Sequence, residues 1–512
     1  MEKIIPYNNP FCVGTAIQNP SDFIGRRQEL SDISSMMLNR QNISLRGERR
    51  TGKTSLLKYI VHPEGISLLG LQPDKHIPVF LNFQQYTESK PFMIWWGIAE
   101  GIAMEINKRL PEYKEKTDKY IQNIREYFEH GEFTFAKFHK ELLIFENLII
   151  HLLFDEFDQI VKNSELENST FLDELRSLPS ERKISYIIAT RTGLASLQDD
   201  KYFNTKISSP FFNIFTTIIL KPLDSDEAKL LIHNYLDSEI TDIALAKEIC
   251  SDIKYLYDIT GHHPFFLQSF CFHLIVQLNI GDISYEDAKT KALQSFSGDM
   301  VENFKFYWDY SNVHEKELIK KIVSKQQIDS NDISAKPVIE NLKNRCLLVP
   351  SSNKQYEWQL VSSVFGEWSK RYTLQNTLNE IGEDISYIEI VKYTINPEKP
   401  SISYMISKNP ITIEILNRIP NMNLSGLSYF DAQKFASWFN ARLPTEEEWR
   451  LAAKTGKISI SQHKEWLLSD SKSYFKDLIF RGNIGNRRKI ISMEQRPEEN
   501  SPTYALRLIK DS

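Results

Sequence analysis

The sequence predicts a multidomain α/β protein: a parallel sheet buried on both faces, helical segments after it, and a smaller α+β domain at the C-terminal end. Three observations carry that expectation. The apolar strand Asn42-Ile43-Ser44-Leu45-Arg46 runs into a GxxxxGKT loop, Gly47 to Thr54, and the loop opens a helix at Ser55-Leu56-Leu57-Lys58. A second apolar run, Leu148 to Phe154, ends in Asp155-Glu156, as a strand covered on both faces requires. After Asp384 the pattern changes to short strand-like runs.

The loop is the setting for a nucleoside triphosphate. Its glycines, Gly47 and Gly52, let backbone N–H groups turn toward phosphates, with Arg49, Arg50, Thr51 and Ser55 lining the same turn. Lys53 is placed to lie along the β- and γ-phosphates and Thr54 to ligate Mg²⁺. The helix start adds free N–H groups and partial positive charge. Asp155 and Glu156 stand where α/β sheets bind ligands, so Asp155 is expected to hold Mg²⁺ and Glu156 to polarise the attacking water. A further run, Ile184 to Ala189, ends in Thr190-Arg191, which makes Arg191 a candidate sensor of the γ-phosphate, the other reading being a solvated arginine at a strand end, with Arg49 and Arg50 as alternative phosphate contacts.

Length and composition bound the rest. A chain of 512 residues implies roughly three or four domains of about 100–200 residues. A net charge of −5 with both signs mixed argues against nucleic acid or a membrane surface as the general partner. No apolar run reaches the ~18 residues of a membrane span, and the start Met1-Glu2-Lys3-Ile4-Ile5-Pro6 lacks a secretory core, so a cytoplasmic location is expected. Cys12, Cys250, Cys271 and Cys346 are scattered without a CxxC pair, which implies neither a zinc site nor a disulfide framework.

Asn8-Asn9-Pro10-Phe11, Phe23-Ile24-Gly25-Arg26-Arg27-Gln28-Glu29-Leu30, the loop, His151 to Asp158, Ile187 to Arg191, Leu220 to Ala228 and Gly261-His262-His263-Pro264 occur in an order that resembles the STAND-type, AAA-related P-loop ATPases. The resemblance implies an ATP/ADP site in which Ile24, Gly25, Arg26 and Pro264 contact base or ribose. It also implies a nucleotide-binding domain over residues 1–222 and a helical lid over 223–300. From the residues alone, 107–130 reads as a solvated helix between strands.

Residues 301–372 read as a winged helix: two helices around Ile319 and Ile339, then Cys346 to Pro350 and Gln355 to Leu360 as a hairpin around Ser351-Ser352-Asn353-Lys354. Lys336, Lys343 and Arg345 against Glu340 make a poor stripe for neutralising DNA phosphates. In STAND-like proteins this module packs on the nucleotide domain and moves with the nucleotide, which is the role the resemblance implies.

Residues 373–384 read as a polar linker and 385–512 as the last domain. There Leu427 to Phe439 and Ala441 to Ala453 read as two helices joined by a Pro-containing turn, the second with a Thr445/Glu448 capping box. Together with Lys464-Glu465-Trp466, Phe480-Arg481-Gly482-Asn483 and Tyr504 to Lys510, they resemble the formylglycine-generating enzyme/sulfatase-modifying family, of C-type-lectin-like fold. The oxidases of that family work through cysteines, and no cysteine follows Cys346 here, so their chemistry is not expected. A scaffold for recognising a ligand or protein remains.

The residues and the two resemblances together lead to an expected ATP-hydrolysing switch with a C-terminal recognition domain and a nucleotide-dependent homo-oligomer; a place in bacterial signalling or defence is what the resemblance alone implies. Two other readings stay open: a display protein of the retroelement variable type, in which ATP is structural, and a winged-helix transcription regulator.

Overall fold

The computed structural model describes residues 9–11, 13–17, 19–130, 133–166, 170–181, 183–194, 211–237, 243–280, 283–328, 332–392, 402–419, 422, 424–455, 458, 464–467, 475–484, 487–495 and 504–511. Asn8, Cys12 and most of the stretch between Ala453 and Lys464 lie outside them. The chain forms two compact units, Met1–Gly366 and Glu367–Ser512.

The first unit is built on five parallel strands, β1 (Asn42–Arg46), β2 (His76–Asn82), β3 (Ile149–Asp155), β4 (Ile184–Thr190) and β5 (Phe215–Ile219), in the order β2-β3-β4-β1-β5. Alternate side chains feed two cores. Leu152, Phe154, Tyr186 and Ile188 face one, covered by the Pro91–Arg109, Lys114–Glu129 and Phe171–Glu181 helices; Leu153, Ile187 and Ala189 face the other with Leu45, under Arg27–Leu38 and Lys53–Val61. Burial on both faces is why these strands read as unbroken apolar runs. The stretch expected as a solvated helix is half core: Lys114–Glu129 buries Thr117, Tyr120 and Ile124 and exposes Lys114, Glu115 and Lys116.

Because β4 lies between β1 and β3, with Arg46 opposite Thr190 and Phe154 opposite Ile188, three chain segments leave the sheet side by side: the glycine loop, Thr190-Arg191 and Asp155-Glu156. Strand order, not sequence proximity, assembles the site.

A buried polar chain crosses the sheet elsewhere. His76 Nδ1 lies 2.9 Å from His151 Nε2, and His151 Nδ1 lies 2.7 Å from Ser185 Oγ. Burial, then the neighbouring His76, drives the His151 pKa from 6.5 to about 3. His151 is neutral in the fold and protonated in the unfolded chain below about pH 6.5, so its stabilisation is complete above that pH and is lost on acidification at ~1.4 kcal/mol per pH unit. We expect a lower urea midpoint at pH 5 than at pH 7, with a smaller difference in His151→Leu; an equal difference in both would remove His151 as a source.

After β5 come the helices Ser225–Asp237, Ile243–Ser251, Ile253–Thr260, Pro264–Ile280 and Tyr285–Asp299, then Val301–Asp309, Val313–Val323 and Ala335–Asn344. A hairpin of β6 (Leu348–Pro350) and β7 (Trp358–Leu360) follows, with Leu348 opposite Leu360. Residues 373–384, expected as a linker, are helical and belong to Ser363–Asp384. Their polar composition hides an apolar stripe: Leu374, Leu378 and Ile381 join the core of the second unit.

Among its described residues that unit has two sheets. β8 (Tyr387–Lys392) and β9 (Ile402–Ser407) pair antiparallel and β14 (Ile509–Asp511) completes a three-stranded sheet, while β10 (Lys464–Trp466), β11 (Phe475–Ile484), β12 (Arg487–Gln495) and β13 (Tyr504–Leu506) form the other in the order β12-β11-β10-β13. The helices Tyr429–Trp438 and Glu446–Lys454 start at complete capping boxes, Ser428/Asp431 and Thr445/Glu448. Arg507 and Glu465, 0% and 2% exposed, pair through two bonds of 2.8 and 2.9 Å. Glu465 also accepts from Trp449 Nε1 at 2.7 Å, and Arg507 donates to the Ser407 and Lys408 carbonyls. A buried charge pair with every lobe partnered holds strands together and leaves nothing for a ligand. The residues that carry the family resemblance at Glu465 and Arg507 are thus structural.

Candidate nucleotide site

The glycine loop occupies the turn between β1 and the Lys53–Val61 helix. Gly52 has φ +98°, a conformation only glycine adopts without strain, and it sets the helix N-terminus beneath the loop. Lys53 is buried and donates from Nζ to the carbonyls of Gly47 (2.8 Å) and Glu48 (3.1 Å). Burial lowers its pKa, with the Glu156, Glu48 and Asp155 carboxylates pulling the other way. A desolvated ammonium held by neutral carbonyls gains much from phosphate oxygens.

Asp155, 1% exposed, accepts from the Thr54 hydroxyl at 2.7 Å. Burial raises the Asp155 pKa, and the bond from Thr54 opposes that rise. A hydroxyl and a carboxylate oxygen meeting at the loop's end are the hard donors that Mg²⁺ accepts beside nucleotide phosphates, so these residues fit the metal. Among the described residues no group of three or more His, Cys, Asp or Glu side chains forms a metal site of protein ligands alone. Glu156 follows in the left-handed region, φ +51° and ψ 38°, a backbone strain of the kind concentrated at functional sites. Its Oε2 lies 3.1 Å from Arg191 Nη2, and Asp158 Oδ2 lies 3.7 Å from Arg191 Nε.

A cavity of about 930 Å³ opens over the loop. Of the expected residues, Ile24, Arg26, Arg49, Arg50, Thr51, Gly52, Lys53, Thr54, Ser55, Glu156 and Pro264 line it; Gly25, Gly47, Asp155 and Arg191 do not. Gly25 makes room for a neighbour. A side chain there would meet the Glu227 carboxylate at 3.1 Å, and Glu227 Oε1 accepts the Arg26 N–H at 2.6 Å, capping the Arg27–Leu38 helix from 201 residues away. Arg26 is also tied down, donating to Thr51 O at 3.0 Å. Arg50 lies over the Phe265 ring at 4.1 Å.

Sequence reasoning missed the apolar end of the cavity, where Phe11 meets Tyr235 with ring centroids 5.4 Å apart, and Leu231 and Phe265 complete the wall. It also missed the outer brace of the loop. Arg345, Glu48 and Glu315 form one buried cluster: Arg345 Nε to Glu48 Oε2 is 2.8 Å and Arg345 Nη1 to Glu315 Oε2 is 3.0 Å. Tyr307 OH donates to Arg49 O at 3.1 Å, and Arg46 Nη2 to Asn341 Oδ1 at 3.1 Å. A charged residue inside the glycine loop, Glu48, was the signal that a buried partner is needed.

Residues 386–483 match the family model described as the sulfatase-modifying factor enzyme 1-like domain. A comparison with curated proteins finds no match. Among solved structures the chain is similar to the Walker-type ATPase PABY2304 of Pyrococcus abyssi, with 13% identity over 70% of this chain and 99% of that one and a TM-score of 0.43. It is also similar to the ORC2 protein of Aeropyrum pernix in ADPNP–ADP complexes, with 13% identity over 72% and 98% and a TM-score of 0.40. On its own loop and sheet order and on the matched segment, the chain joins a P-loop ATPase-type α/β unit to a sulfatase-modifying-factor-like domain.

Proposed function

We propose that the chain is a STAND-type molecular switch that binds and hydrolyses ATP with Mg²⁺, coupled to a C-terminal domain that recognises a ligand or protein and carries out no oxidation. The observation that supports this most is the convergence of Lys53, the Thr54–Asp155 pair and Glu156 at one end of a parallel sheet, around or beside one cavity. In this reading Lys53 leaves the Gly47 and Glu48 carbonyls for the β- and γ-phosphates. Thr54 and Asp155 hold Mg²⁺, which supplies charge neutralisation on the phosphates. Glu156 orients the attacking water, and Arg191 registers the γ-phosphate. The apolar wall around Phe11 and Tyr235 takes the base, with Ile24, Arg26 and Pro264 beside it.

Residues 223–300 act as the lid and 301–372 as a winged helix that moves with the nucleotide, in a homo-oligomer serving signalling or defence. With no cysteine after Cys346, the last domain contributes recognition rather than redox chemistry.

Lys53→Ala tests the reading at its root. Mg·ATP affinity of the full chain, measured by calorimetry, is expected to fall roughly 10- to 150-fold, since a charge-assisted hydrogen bond is worth ~1.5–3 kcal/mol. Unchanged affinity would remove the glycine loop as the phosphate site.

A further inference from the structure

Two arginines beside the phosphate site share one aromatic ring. The Phe306 centroid lies 5.2 Å from Arg49 Cζ, in the glycine loop, and 5.3 Å from Arg191 Cζ, past the end of β4. Two guanidinium groups against one ring repel each other, and what offsets this on the Arg191 side is a pair of carboxylates, Glu156 at 3.1 Å and Asp158 at 3.7 Å. The hydrogen bonding of Arg191 is incomplete: its buried Nε has no hydrogen-bond partner. Phe306 is itself held in place, packed on Tyr310 at 4.3 Å, while the next residue, Tyr307, bonds the Arg49 carbonyl at 3.1 Å. One turn of the Val301–Asp309 helix therefore touches both the loop that holds phosphates and the arginine that holds Glu156.

We propose that Phe306 is a positioning residue that ties the γ-phosphate site to the Val301–Asp309 helix: its ring holds Arg49 and Arg191 back from the phosphates, and a triphosphate draws them away. This rests on the ATP reading above and adds its regulation. A guanidinium–ring contact is the weaker interaction, and a charge-assisted bond to a phosphate oxygen the stronger, so a γ-phosphate wins the arginines while a diphosphate lacks the group that competes for them. When Arg191 leaves, Glu156 loses its ion-pair partner and is free to orient water, and the ring loses both cations. The same event thus frees the carboxylate and signals to the helix that follows the lid.

The ring makes triphosphate binding harder and leaves diphosphate binding alone, so the ratio of the two affinities reports it. The full chain is titrated by calorimetry with a non-hydrolysable ATP analogue and with ADP, each with Mg²⁺, in the wild type, Phe306→Leu and Phe306→Trp. Leucine keeps apolar bulk without the ring; tryptophan keeps the ring's attraction for cations. With two contacts removed, the preference for the triphosphate in Phe306→Leu is expected to rise by more than about 3-fold, and Phe306→Trp to stay within about 3-fold of the wild type. A Phe306→Leu ratio within that band or lower overturns the proposal, because a merely structural role moves both nucleotide affinities together; an equal rise in both variants overturns it too, because the ring's attraction for cations would then not be the cause. Binding of neither nucleotide by the wild type overturns the ATP reading and this inference with it, whereas binding with an unmoved ratio overturns this inference alone.

Discussion

Glu156→Gln is expected to leave Mg·ATP binding in place and to cut steady-state turnover by about 10²–10⁴, the usual worth of a positioned general base. The substitution is nearly isosteric, and the left-handed backbone at this position, φ +51°, is as accessible to glutamine as to glutamate. A glutamine oxygen still accepts from Arg191, now at 3.1 Å from the carboxylate, so the surroundings keep their shape while the negative charge and proton affinity are lost. Binding and chemistry are thereby separated: the phosphate contacts of Lys53 and Thr54 do not pass through Glu156. Single-turnover hydrolysis measured beside the affinity for ATP checks both halves. Turnover close to the wild type would take the water-orienting role from Glu156, and the half-buried Asp158, 3.7 Å from the same arginine, would be the next carboxylate to test.

What the sequence makes legible here is what is written locally. The strand, the glycine loop and the helix follow one another without a break from Asn42 to Val61, and β3 and β4 declare themselves because burial on both faces leaves no polar alternation to misread. Long-range pairings were not legible. Glu48 and Arg345 are 297 positions apart, and Arg26 meets Glu227 across 201, so nothing in either neighbourhood names the partner. Gly25 illustrates the point: the resemblance implies a base or ribose contact there, and what only the structure adds is that it makes room for a carboxylate that caps a helix. Phe306 was hidden for the opposite reason, since an aromatic at helical spacing reads as core until the cations on its ring are seen. In the second unit the shared wording was legible, but the pairing behind it was not: Glu465 and Arg507 carry the resemblance and bond each other across 42 positions.

Arg345→Met is expected to cost the first unit about 3–5 kcal/mol of stability, the range for breaking a buried ion pair by removing one partner. The side chain is 7% exposed, and its partners Glu48 and Glu315 are 5% and 2% exposed, so solvent does little to screen what is left behind. Arg345 also donates from Nη1 to Ser311 Oγ at 3.1 Å and from Nη2 to Tyr307 O at 3.3 Å, and a lysine, with no planar fork, cannot reproduce that spread. The two glutamates cannot simply turn away. Glu48 Oε1 accepts the Arg49 N–H at 3.0 Å, while Glu315 completes the Asn312 capping box and takes Asn341 Nδ2 at 2.7 Å, so each is held in the loop or helix it serves. The loss is therefore the cost of two stranded carboxylates more than of one missing guanidinium, and adding Glu48→Gln and Glu315→Gln to Arg345→Met should return part of it by removing those charges. Urea midpoints of the single and triple variants decide the matter: a single-variant deficit under about 1 kcal/mol, the level of an exposed pair, would mean that the glycine loop is not braced by Arg345 at all.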